Sequence, residues 1–165
     1  MHEVDGHCQW FPTRLDTRVV AAHERINYWE EKCSENVVGL NCSSLEQDGF
    51  QARYQYVDLG NIRLTDIVAK QHVVERTPTL VRAKEKDSIF LILLLRGTSF
   101  INRASECVVL NEGDCVAYDT NRPYMHGFPG FMQHVIIDVP GEEFRRRFPG
   151  WSLKEAVRYD SSIGQ

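Results

Sequence analysis

The side chains able to do chemistry are few and widely spaced. Of six histidines, His72, His126 and His134 lie in apolar stretches and could converge as nitrogen ligands on one metal ion. Three histidines also scatter this way by chance, as packing residues. The five cysteines, Cys8, Cys33, Cys42, Cys107 and Cys115, include no CxxC, which excludes a zinc ribbon or dense disulfide framework and fits a reducing compartment. No GxSxG elbow, Walker loop or GxGxxG turn is present, so nucleophilic catalysis and phosphate cradling lack their motifs. What remains is binding chemistry. Tyr124 joins a large apolar ring to a polar tip that seeks a partner when buried. Phe90 and Ile92 share one face of an apolar run, and Tyr54 and Tyr56 share one face of an alternating segment. Arg82 could neutralise a carboxylate through two parallel N–H bonds, although an arginine in a loop is ordinarily solvated. Asp119 and Arg122, just before Pro123, read as a turn clasp. Arg145, Arg146 and Arg147 follow Glu142 and Glu143, the charge order of a short solvated helix and not of a nucleic-acid patch.

The composition leaves room for one packed domain. Of 165 residues, 42% are hydrophobic and 25% charged, enough for a core and too apolar for disorder. A formal charge of −4 argues against direct nucleic-acid contact by this chain. The opening MHEVDGHCQW lacks a charged n-region and an apolar stretch, so no signal peptide is visible. The longest apolar run, Ile89 to Leu95, is seven residues, far short of a membrane span. The expectation is a cytoplasmic single domain with no membrane association.

The elements that must position these side chains follow from periodicity. Residues 1–15 read as a loose lead-in, and 16–165 as one domain. From Asp16 to Ser34, Val19, Ala22, Ile26, Trp29 and Cys33 recur at helical spacing, which predicts one amphipathic helix with Asp16 as its cap. Short β segments then run from about 37 to 139. Phe50, Ala52, Tyr54 and Tyr56 alternate with polar residues. Residues 62–74 read as extended, and 89–95 as a central strand apolar on both faces. Turn chemistry at Gly97, 111–114, 121–123 and 129–130 separates strands near 98–103, 106–110, 115–119 and 132–139. Pro140 opens a helix over 141–148, and a further helical stretch over 152–158 completes a helical tail, 140–165. This is a mainly β fold with flanking helices: a jelly-roll β-barrel preceded by an amphipathic helix and followed by short C-terminal helices.

The segment GDCVAYDTNRPYMHGF, 113–128, has the layout of the second cupin motif. Counted from Gly113, the motif's metal-binding histidine falls on Tyr124. Counted back from Gly97, the glutamate of the first motif falls on Phe90, and its histidines fall among residues 83–86, Ala-Lys-Glu-Lys. The chain thus resembles a cupin in spacing while lacking the ligand set, which implies a metal-free aromatic pocket and no cofactor. From Leu59 to Pro140 it further resembles the N-terminal effector-binding, cupin-like domain of AraC/XylS-type transcriptional regulators. That likeness rests on LGNIRLTDI (59–67), RTPTLVRAKEKDSIFLILLLRG (76–97) and LNEGDCVAYDTNRPYMHGFPGFMQHVIIDVP (110–140).

The resemblance implies a ligand-sensing domain that binds a small aromatic or amphipathic effector. The pocket expected for it is built from Tyr124, Phe90, Ile92, Tyr56, Tyr54, His126, Arg82 and His72. It also implies a homodimer, and contact with DNA only through a basic C-terminal helix-turn-helix domain absent from this chain. The rival reading is a metal-dependent cupin enzyme, a dioxygenase or isomerase; a third is a jelly-roll binding module without a regulatory partner.

Overall fold

The computed structural model describes residues 12–104, 106–154 and 156–159. Two antiparallel sheets face each other across one core. The larger contains β1 (Thr13–Asp16), β3 (Ala52–Leu59), β4 (Ile62–Ala69), β6 (Ser88–Arg96), β9 (Cys115–Asp119), β11 (Met132–Pro140) and β12 (Val157–Tyr159), in the order β1-β3-β4-β11-β6-β9-β12. The smaller contains β2 (Asn41–Ser43), β5 (His72–Arg76), β7 (Ser99–Arg103), β8 (Glu106–Leu110) and β10 (Tyr124–Phe128), in the order β2-β5-β10-β7-β8. This is the cupin-like jelly roll expected. Helix α1 (Arg25–Asn36) precedes it, α2 (Pro78–Ala83) joins β5 to β6, and α3 (Gly141–Arg147) follows β11. Among the described residues no helix is long and apolar enough to cross a membrane.

Strand β6 is apolar on both faces because both are covered. Phe90, Ile92 and Leu94 point into the barrel, while Ile89 and Leu91 pack outside it with Ala117, Leu153 and Phe144. Its register against β11 sets Ile92 opposite Ile136 and Leu94 opposite His134, and a bulge between Gln133 and His134 precedes that pairing. Against β9, Phe90 stands opposite Tyr118. Strand β10 aims Tyr124, His126 and Phe128 inward. Between them, Gly127 lies beneath the Phe100 ring, where a Cβ would come within 2.2 Å of Phe100 Cζ. Gly97 turns β6 into β7 at φ 86, a backbone region that glycine enters without strain.

Several sequence expectations are corrected. The helix expected over 16–34 begins only at Arg25 and extends to Asn36. Asp16 caps a single 3-10 turn, 17–19, accepting from Arg18 N–H at 2.9 Å. The Thr17 hydroxyl accepts from Ala52 N–H at 3.0 Å, which ties this segment to β3, and Val19 is left 70% exposed. The extended stretch 62–74 is two strands in different sheets, because the chain crosses from one sheet to the other at Lys70-Gln71. Helix α2, capped by the Thr77 hydroxyl, was not anticipated, and neither was β10. The helix expected over 152–158 is replaced at its end by β12, an edge strand on β9 where Arg158 pairs with the buried Asp114 at 2.9 Å. Of the loose lead-in expected over 1–15, residues 13–15 belong instead to strand β1, while 1–11, like the tail residues 160–165, lie outside the described residues. The arginine triplet is solvated as expected: Arg146 and Arg147 pair with Glu143, and Arg145 with Asp87.

Candidate functional site

The two sheets close around a cavity of 40 Å³, and α1 lies over its mouth. Helix α1 contributes Trp29 and Cys33, the apolar face of an otherwise polar helix, and the following segment adds Val37, Val38 and Leu40. The walls are Phe90 and Ile92 from β6, Tyr118 from β9, Tyr124, His126 and Phe128 from β10, His72 and Val74 from β5, Ile67 from β4, and His134 and Ile136 from β11. The volume suits a water molecule or two and is too small for an aromatic ring, so the expected ready-made ligand space is not there. The site is a closed, mostly apolar chamber.

Five of the eight expected residues line it: Tyr124, Phe90, Ile92, His126 and His72. Three do not. Tyr54 and Tyr56 do alternate inward, but the end of β3 passes beneath α1. The Tyr54 hydroxyl accepts from Asn36 Nδ2 at 3.0 Å, and the Tyr56 hydroxyl donates to Asn36 Oδ1 at 3.3 Å. The Tyr56 ring lies under the Arg63 guanidinium, 4.1 Å from centroid to Cζ. Arg82 stands exposed on α2 and faces solvent, because its helix packs no side chain into the core. Trp29, Cys33, Tyr118, Phe128 and His134 belong to the chamber and were not assigned to it from sequence. Trp29 and Cys33 carried a signal in the helical period; His134 carried one in the inward alternation of 132–138.

The electrostatics of the chamber are those of neutral groups. Burial pulls His72 down to about 4 and His134 down to about 3, and holds His126 well below the ordinary imidazole value. For His126 the neighbouring His134 and His72 add to that effect. His72 Nδ1 lies 2.7 Å from the Lys70 carbonyl, which can only accept, so Nδ1 carries the proton. His126 Nε2 meets the Ser99 hydroxyl at 3.0 Å. Burial likewise pushes Tyr124 up to about 12, so its hydroxyl stays protonated beside Tyr118. Among the described residues, no three His, Cys, Asp or Glu side chains converge as metal ligands. The histidines pack around the Phe128 ring instead, its centroid 4.7 Å from stacked His72 and 4.2 Å and 5.4 Å from the tilted rings of His126 and His134.

Two polar groups in this chamber are unsatisfied. Both ring nitrogens of His134 and the Trp29 indole Nε1 are buried without a hydrogen-bond partner among the described residues. An unpaired buried polar group costs about 1–3 kcal/mol, so each is a place where a ligand atom or water would be stabilising.

Comparison with known proteins adds to this geometry. Residues 29–164 match the model of the AraC-binding-like domain. An uncharacterized protein in the nit 5' region of Bacillus sp. (strain OxB-1) is 27% identical over 128 residues, 78% of this chain and 50% of that protein. The transcriptional activator NphR of Rhodococcus sp. is 22% identical over 101 residues, 61% of this chain and 30% of NphR. The crystal structure of the AraC-like transcriptional activator CuxR superposes with a TM-score of 0.70 at 17% identity, covering 80% of this chain and 48% of CuxR. The chain thus spans half or less of the length of each. With the family model matching most of its residues, the chain belongs to the AraC-binding-like domain family and is a ligand-binding regulatory domain.

Proposed function

We propose that this domain senses an uncharged, planar small molecule in the barrel chamber, without a metal ion or catalysis, and reports it through α1. The observation that carries this reading is the unsatisfied His134 imidazole in an apolar chamber closed by Trp29. The three histidines there are neutral and, among the described residues, no charged side chain lines the chamber, so an ionic ligand would go in without a counter-charge. Aromatic walls favour a flat ligand, and His134 with Trp29 offers it one acceptor and two donors. Since the closed chamber holds only 40 Å³, occupancy requires the wall to yield. The wall that is a separate element is α1, held to the strands by the Asn36–Tyr54 and Glu30–Cys42 hydrogen bonds. A ligand that favours the displaced position of α1 shifts the population by its differential affinity for the two states. In a full-length regulator that movement would reach a DNA-binding region, and the domain would act as a cytoplasmic homodimer. Titration with phenol, against toluene as an apolar control, tests the reading. Phenol should bind more tightly, and His134→Phe should remove the difference. Equal binding of both, or an unchanged difference in the variant, would overturn it.

A further inference from the structure

A second cleft, 280 Å³, opens at the other side of Tyr124, between the end of β5 and the end of β7. Its floor holds two buried arginines. Arg76 is 0% exposed and donates to three backbone carbonyls, Thr120, Gly39 and Lys84, each at 2.8 Å. Arg103 is 6% exposed, its Nη2 donates weakly to Asp119 O at 3.4 Å, and its Nη1 is buried with no partner. The chain leaves Arg103 through Ala104 at φ 44, a left-handed conformation that a non-glycine residue adopts under strain. Neither arginine forms an ion pair among the described residues. Asp119 acts on Arg103 only at a distance, its charge opposed by that of Arg122, and forms no ion pair with it. Asp119 accepts from Asn121 N–H at 2.8 Å, and Glu75 stands exposed on the cleft rim. Glu106 faces Arg103 in register across the β7–β8 hairpin but does not reach it, and its Oε2 is itself buried without a partner. The Tyr118 and Tyr124 hydroxyls stay protonated and supply no negative charge.

A buried guanidinium with an unused donor edge and no counter-ion is strongly unfavourable unless an anion completes it. We propose that this cleft is a second binding site, for the carboxylate of a small monoanionic organic acid, with Arg103 Nη1 as the donor. Of the two guanidiniums only that of Arg103 keeps a donor group, Nη1, without a partner among the described residues, which limits the site to one negative charge. Glu75 at the rim opposes a second charge. Pro78, Pro123 and the Tyr124 ring give the body of the acid an apolar wall. Tyr124 also lines the barrel chamber, so the two sites share one side chain as their partition.

The test uses this chain and benzoate as probe, with benzamide as its neutral isostere and inorganic phosphate as a competing anion, followed by calorimetric titration. Benzoate should bind at least tenfold more tightly than benzamide or phosphate. Arg103→Lys, which keeps the charge and loses the fork, should weaken benzoate at least tenfold, its folding checked by thermal unfolding. Arg82→Ala, on the exposed face of α2, and Glu106→Gln should leave benzoate binding unchanged. Should Arg103→Lys fail to fold, the Arg103 Nε–H resonance of the parent chain serves instead, and benzoate should shift it while benzamide does not. Benzamide or phosphate binding as well as benzoate, or benzoate indifferent to Arg103→Lys, would overturn the site. So would benzoate binding that appears only in Glu106→Gln, since Glu106 would then be the guanidinium's own counter-ion.

Discussion

The Trp29 indole of α1 lies 5.6 Å from the Tyr54 ring of β3, tilted 55° to it, and so clamps the helix that closes the barrel onto the strand beside the barrel mouth. The same indole meets Phe50 edge-on at 5.9 Å. Removing it should both loosen the lid and open the chamber. Trp29→Ala should cost about 3–5 kcal/mol in urea unfolding. It should also enlarge the chamber enough to bind benzene or toluene. A loss below about 1 kcal/mol would mean that α1 rests on the barrel without being part of its core.

The three chamber histidines set a pH dependence. Their folded pKa values lie below the unfolded value near 6.5, at about 4 for His72 and about 3 for His134, with His126 also depressed. Below pH 6.5 the unfolded chain takes up protons that the folded chain refuses, so stability falls as pH falls through that value and is fully present above it. Each histidine contributes up to about 1.4 kcal/mol per pH unit between 6.5 and its folded value. Denaturant titrations between pH 7 and pH 5 should therefore show a loss of at least about 2 kcal/mol, in a window above the range of ordinary carboxylates. His134→Phe should flatten the slope. A flat profile across that window would show that these rings are solvated.

Arg76 and Arg82, six residues apart, should behave oppositely. Arg82 is exposed, and Arg82→Ala should change stability by no more than about 0.5 kcal/mol. Arg76→Met leaves three buried carbonyl oxygens without their donor, at a cost of about 3 kcal/mol or more. Thermal unfolding of the two variants side by side checks the pair.

Gly127→Ala would set a methyl group against the Phe100 ring, within 2.2 Å of its nearest carbon. Strand β10 carries Tyr124, His126 and Phe128 into the chamber, so the clash should disturb the site as well as cost about 1–3 kcal/mol. Denaturant unfolding with near-ultraviolet circular dichroism reads both effects.

The double-sheet architecture was legible because turn residues recur between short alternating segments, and because 89–95 is apolar on both faces. The inward aim of Phe90 and Tyr124 was legible through the resemblance to the cupin motifs, whose ligand positions they occupy. The misread regions are those where distant partners decide. Residues 16–24 carry a helical period, yet Thr17 bonds to Phe50 and Ala52, so the segment breaks into two short 3-10 turns, 17–19 and 22–24, instead of one continuous helix. Strand β10 is hidden by its own Gly127, a residue required by Phe100 across the sheet. Tyr54 and Tyr56 alternate correctly, and only the placement of α1 removes them from the chamber. The alternation of 132–138 turns His134 inward, but its place in the chamber is set by the β11 register against Leu94 and Ile67, which alternation alone does not contain.

The most direct test of the sensing account follows the Trp29 indole N–H by two-dimensional proton–nitrogen spectroscopy during titration with phenol. The group is buried, unpartnered and part of the chamber wall. The account predicts that its resonance moves downfield saturably as it gains an acceptor, together with shifts in the His134 ring and along α1, and that none of these occur in His134→Phe. Saturable phenol binding that leaves the Trp29 indole and His134 resonances in place, and moves only surface residues, would contradict it.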